Sequence, residues 1–140
     1  MRKTMVAIAA LMLFGYPIRQ PADASEQAVP AQATAIPAEA ATMTNPIKPT
    51  AESLAKAKKM YGYDCSMCHG DSGDGKGDLA VELKLKLKDF TDGDSMKTVT
   101  DGEMFWVIKN GIGKMPGEGD RLTPDATWNM VVVVRNFAKK

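Results

Sequence analysis

An all-α domain of about ninety residues, wrapped around something other than protein, is the fold class this 140-residue sequence predicts. Three observations predict it. Three segments carry helical spacing and recognisable caps. No clear hairpin signal separates the first two. The connections are long and rich in glycine, so the helices alone bury too little to stand unaided.

The first helix spans Thr50 to Tyr63, where Leu54, Ala57 and Tyr61 share a face. The second runs from Asp101 to Asn110. Thr100 and Glu103 match a capping box, Phe105 and Ile108 share a face, and Gly111 is a natural stop. The third opens at Thr123-Pro124-Asp125, which supplies an N-cap, a proline at the first helical position and an acid at the positive dipole end. Trp128, Val131, Val132 and Arg135 follow at helical spacing. The β-branched run Val131 to Val134 favours a strand by itself. The cap upstream and the length to Phe137 decide for a helix. Leu83 to Lys88 alternates with period two, which predicts a short extended piece.

Composition narrows the function classes. With 44% apolar and 25% charged residues, most of the chain should fold. Eighteen basic and 17 acidic residues give a formal charge of +1, with no global field for nucleic acid or an acidic membrane. Two cysteines exclude a disulfide-rich scaffold.

The N-terminus has the pattern of an export signal. Arg2 and Lys3 precede an apolar stretch from Thr4 to Ile18, and Ala22-Asp23-Ala24 predicts cleavage before Ser25. Residues 1–24 are therefore expected to be a signal peptide and the product periplasmic or otherwise exported. An uncleaved segment anchoring the chain to a membrane is the alternative. Cleavage leaves 15 basic and 16 acidic residues, a formal charge of −1. Residues 25–50 hold seven alanines, four prolines and no aromatic residue, which predicts a flexible linker. The folded domain is then 51–140.

Cys65-Ser66-Met67-Cys68-His69 carries the chemistry. C-x-x-C-H is the attachment signature of c-type haem. Two thiols on one helical turn can add to the two vinyl groups of the porphyrin, and the next residue aims its imidazole at iron. His69 is the only histidine of the chain. A dithiol redox pair wants an α/β context, a structural disulfide does not explain His69, and zinc needs about four ligands. One covalently attached haem c with its iron is the expected cofactor, held by Cys65 and Cys68 and ligated by His69.

No second histidine is present to close the sixth position, so methionine is the natural donor. Met1, Met5 and Met12 leave with the signal, and Met43 lies in the linker. Met67 sits in the attachment turn, on the side of His69. Met60, Met104 and Met130 fall in helices, where core filling is their ordinary role. Met96 lies in a connection and is a lesser candidate. Met115, between Gly111-Ile112-Gly113-Lys114 and Pro116-Gly117, lies in a loop able to cross the far face of the haem. It is the expected second ligand, by analogy with His/Met haem proteins.

Other features are decoys. Gly70 to Gly77 nearly matches a phosphate-binding loop but lacks the final hydroxyl and a preceding strand. Asp71, Asp74 and Asp78 are not at calcium-loop spacing. Lys84, Lys86, Lys88 and Lys114 are either a basic docking rim or a solvated face. Trp106 and Trp128 are expected in the core.

On these residues the sequence resembles the class I monohaem cytochromes c, and more narrowly small bacterial cytochromes similar to the third-subunit haem domain of cbb3-type oxidases. The resemblance rests on Tyr61 before the motif, C-x-x-C-H-G at 65–70, the glycine-rich loop, Asn110-Gly111 to Met115-Pro116, and the C-terminal helix ending Val134-Arg135. It implies a cytochrome c fold of about three to five helices around one covalent haem, with crossed terminal helices and an exposed haem edge for electron transfer. Three positions depart from the family. Ala57 replaces a glycine at the crossing, Val133 replaces an aromatic residue, and Asp78 replaces a proline whose carbonyl accepts from the ligand histidine. The implied protein is a periplasmic one-electron carrier, not an enzyme, that meets redox donors and acceptors such as membrane respiratory complexes. It is expected to be a monomer without nucleic acid or small-molecule substrate. A haem subunit of a membrane oxidase or dehydrogenase is the alternative, or a sensor or peroxidase-like protein if Met115 is not a ligand.

Overall fold

A computed structural model describes residues 35–139. The expected signal peptide and the first part of the expected linker lie outside the described residues. Among those described, no helix is long and apolar enough to cross a membrane.

The fold is helical, as expected. A continuous helical stretch comprises α1 (Ala51–Met60), a π turn (Tyr61–Cys65) and α2 (Ser66–His69). Short helices α3 (Asp78–Glu82) and α4 (Gly93–Lys97) follow, then α5 (Asp101–Asn110) and α6 (Pro124–Phe137). A two-stranded antiparallel hairpin, β1 (Gly111–Ile112) and β2 (Met115–Pro116), pairs Gly111 with Pro116 and Ile112 with Met115.

The caps form where the residues demand them. Thr50 and Ser53 make a reciprocal capping box on α1, and Thr100 and Glu103 make another on α5. Thr123 accepts from the Ala126 N–H, with Pro124 in the first turn of α6. Val131 to Val134 are helical because that start commits them and because burial outweighs β propensity. Val131, Val133 and Val134 all lie in the core.

The core sits where α1 crosses α6 and where α5 packs on α6. Ala57, 3% exposed, meets this crossing without glycine, and Val133 is equally buried. The aromatic contact comes one turn later, where Phe137 lies 5.0 Å from the Tyr61 ring. Phe105 stacks on Trp128 at 4.3 Å. Trp128 is a core residue, while Trp106 is only half-buried. Arg135 ties α6 to the α4–α5 corner. Its Nε donates to Asp101 Oδ1 at 2.7 Å, Nη1 to the Met96 carbonyl at 2.6 Å, and Nη2 to the Val99 carbonyl.

Two expectations need correction. The segment 25–50 is not a free linker throughout. Ala38–Thr42 forms a 3₁₀ turn, and Ala40 is fully buried. A Cβ on Gly102, near the start of α5, would stand 2.0 Å from the Ala40 carbonyl oxygen. The segment docks through small residues meeting small residues, so the compact unit begins before residue 51. Leu83 to Lys88 makes no strand. Leu85 and Leu87 are half-buried, and Lys84, Lys86 and Lys88 point outward, so the alternation reports facing without a ladder.

Candidate functional site

The attachment residues occupy the end of the continuous helical stretch. Cys65 closes the π turn, and Cys68 and His69 belong to α2. Both cysteines are separate, half-buried thiols. Burial, followed by the nearby carboxylates Glu118 and Asp64, pushes the Cys65 thiol up to about 12. It therefore stays protonated at neutral pH.

The glycine loop is folded back onto this turn. Gly70 leaves α2 with φ 76°, a conformation suited to glycine. The Gly75 N–H donates to the His69 carbonyl at 2.8 Å, and the Gly77 N–H donates to the Cys68 carbonyl at 3.1 Å. At Gly77 the reason for glycine is close approach. A Cβ there would lie 2.4 Å from the Met67 carbonyl oxygen. Tyr61 Oη donates to the Gly70 carbonyl at 2.8 Å and fastens the loop to the helix. Burial, assisted by Cys65, Asp71 and Asp74, pushes the phenol well above its ordinary value.

His69 is half-buried and stacked on Phe90, with ring centroids 4.7 Å apart and planes 20° from parallel. Burial holds the imidazole below its ordinary value, so the neutral form that can ligate a metal dominates at pH 7. Its Nδ1 is buried without a hydrogen-bond partner. The Asp78 carbonyl therefore does not take the role its family counterpart has; Asp78 begins α3 instead.

Met115 lies in β2, not in a free loop, and is half-buried against the core. Gly111 permits the hairpin, because a Cβ there would come 2.4 Å from the Met115 carbonyl oxygen. The following turn returns to α5 through Glu118 N–H to the Ile108 carbonyl and Gly119 N–H to the Lys109 carbonyl. Arg121 then reaches Asp64 beside Cys65, with Nη2 2.9 Å from Oδ1. Its Nη1 lies 3.1 Å from Glu118 Oε2, an ion-pair approach without hydrogen-bond alignment. The hairpin segment and the attachment segment are thus joined across 57 positions of sequence.

The remaining methionines separate by burial. Met96, Met104 and Met130 are at most 8% exposed and belong to the core, while Met67 and Met43 face solvent. Met60 packs against the core from α1. Phe90, Tyr61 Oη, Arg121 and Glu118 were not legible as site residues, because each acts on a partner distant in sequence. The donor set fits a covalently held haem: two thiols a helical turn apart and one neutral imidazole with a buried ring nitrogen. No group of three or more His, Cys, Asp or Glu among the described residues is placed to hold a bare metal ion.

Known proteins agree with this geometry. Among curated proteins, none matches the chain. The solved structure of KustC0563 c-type cytochrome is similar at 29% identity, covering 58% of this chain and 95% of that one, with a TM-score of 0.52. A chain of the Kuenenia stuttgartiensis reducing HAO-like protein complex Kustc0457/Kustc0458 is 26% identical over 66% of this chain, with a TM-score of 0.55. This chain spans 46% of that one's length. Residues 52–132 match the family of the cytochrome c oxidase, cbb3-type, subunit III. The chain belongs to that family and is a haem c electron-transfer protein.

Proposed function

We propose that the protein is an exported one-electron carrier with a single haem, attached through Cys65 and Cys68 and ligated by His69 and Met115. The observation that carries this is the C-x-x-C-H turn itself, seated on a helix with a neutral, half-buried His69. Bound haem supplies an iron that gains and loses one electron. The chain's part is to grip and tune it. Neutral His69 offers a nitrogen donor, and Met115 offers a thioether from a hairpin pinned at both ends. Of the methionines past the attachment motif, the other described ones are committed to the core, which supports Met115. A thioether stabilises ferrous iron and closes the site to oxygen chemistry.

Export and release by cleavage before Ser25 follow from the N-terminal pattern, with membrane anchoring as the alternative. Partners on this reading are redox proteins, respiratory complexes among them, met by a monomer in brief encounters suited to its near-neutral charge. A second reading, a haem subunit within a larger complex, is favoured by the likeness to a chain of a multi-protein complex.

The test is the spectrum and mass of the purified protein. One haem per chain and a weak ferric band near the red edge, lost in Met115→Ala, support the assignment. Rapid carbon monoxide binding by the reduced wild type refutes Met115 ligation. Co-purification with a membrane complex favours the second reading.

A further inference from the structure

His69 carries a conflict that the haem assignment alone does not explain. A histidine that ligates through one ring nitrogen keeps its proton on the other, and that N–H ordinarily donates to a carbonyl, carboxylate or water. Here Nδ1 is buried and meets no acceptor. A buried donor without a partner costs free energy and leaves the ring without a hydrogen bond to fix its plane.

Phe90 supplies what the hydrogen bond does not. Its ring lies against the imidazole at 4.7 Å and 20° from parallel, so it covers one face of His69. Phe90 is itself held. Its N–H donates to the Gly73 carbonyl at 2.7 Å, and its side chain packs against the core. The attachment turn, the glycine loop and Phe90 therefore form one braced unit. The Lys88 carbonyl, two residues before Phe90, would touch a Cβ on Gly75 at 3.1 Å.

We propose that Phe90 is the positioning residue for His69, fixing the imidazole plane by stacking and keeping its outer nitrogen dry where a hydrogen bond would otherwise do so. This rests on His69 being the iron ligand. An N–H without an acceptor makes the imidazole a poorer donor to iron than a hydrogen-bonded one. A poorer donor favours the ferrous state and raises the reduction potential. Asp78 in the family's proline position and the aromatic stack are then two parts of one arrangement.

The test uses the full chain with haem attached. Phe90→Leu keeps an apolar side chain but removes the flat face, admitting water to Nδ1 and freeing the ring. Its potential shifts downward, and its ferric low-spin resonance broadens as the ligand plane spreads. Phe90→Tyr restores both to wild-type values. A Phe90→Leu protein that matches wild type in potential and line width overturns the proposal, and so does Phe90→Tyr shifting as far as Phe90→Leu. Nitrogen-resolved magnetic resonance of the reduced wild type needs no variant. An Nδ1–H coupled to a backbone carbonyl overturns the proposal, and one without such coupling supports it. A wild type lacking low-spin haem overturns the ligand assignment beneath it. The wild-type spectrum is recorded first, so the two failures are distinct.

Discussion

Gly77→Ala and Gly62→Ala make the same chemical change with opposite expected signs. Neither residue has a positive φ, so the backbone itself tolerates alanine at both. At an unstrained site this change stabilises by about 0.4–1 kcal/mol through the unfolded chain. Gly62 meets nothing within 4 Å and lies in the helical stretch, so that gain should appear. At Gly77 the new Cβ would stand 2.4 Å from Met67 O and 2.5 Å from Ser66 O. Both are backbone atoms, so no rotamer relieves the clash, and the loop must retreat by about 0.8 Å. The retreat removes the Gly77 bond to Cys68 and loosens the Gly75 bond to His69. At about 1 kcal/mol each, with overpacking strain of about 1–3 kcal/mol, the net loss is roughly 2–3 kcal/mol. For a domain of this size that lowers Tm by roughly 10–20 °C. Thermal unfolding of the haem-loaded variants measures it. A Gly77→Ala protein as stable as wild type would refute the claim that the glycine loop is pressed onto the attachment turn.

Tyr61→Phe removes the hydroxyl that donates to the Gly70 carbonyl and should cost about 1–2 kcal/mol in denaturant unfolding at pH 7. The unfolded phenol ionises near 10 while the folded one holds its proton to higher pH, so wild-type stability falls as pH rises past about 10. The gap between the two proteins should narrow there; a constant gap contradicts the buried phenol. Gly102→Ala puts a Cβ 2.0 Å from Ala40 O and 2.7 Å from Met43 Cβ, so the 38–43 segment must lift from α5. Limited proteolysis should cut that segment faster, while α5 gains about 0.8–1 kcal/mol of helix propensity. Unchanged cleavage would show that the segment is not seated on Gly102.

The legible parts of the fold announce themselves locally. Thr50, Thr100 and Thr123 start helices because a side-chain oxygen reaches an N–H three residues away. The C-x-x-C-H turn is equally local, which is why its chemistry was readable without structure. The five-residue helices α3 and α4 are too short to show a period, and the hairpin at 111–116 hides in glycines that read as loop. The 38–42 turn was misread because it lacks large side chains, although Ala40 is buried against a residue with none. Phe90 and Arg121 were invisible as site residues, since the contacts to His69 and Asp64 exist only after the chain has folded.

The π turn connects that fold to its chemistry. Leu54, Ala57 and Tyr61 form the buried face of α1. In an unbroken α-helix, at about 100° per residue, Cys65 and Cys68 would return to that same face and point into the crossing with α6. The Ser66 N–H instead donates to the Tyr61 carbonyl, five residues back, so one wide turn absorbs one extra residue. The attachment motif is thereby turned about one residue's rotation away from α6. A wide turn of this kind is an insertion, which makes its removal informative. Deleting Gly62, which touches nothing within 4 Å, should let α1 run straight into α2 while leaving Cys65, Cys68 and His69 aimed as before. Haem attachment should persist at wild-type yield, counted by mass. Loss of attachment with the helix content intact would mean that the wide turn itself is needed, and that the rotation argument is wrong.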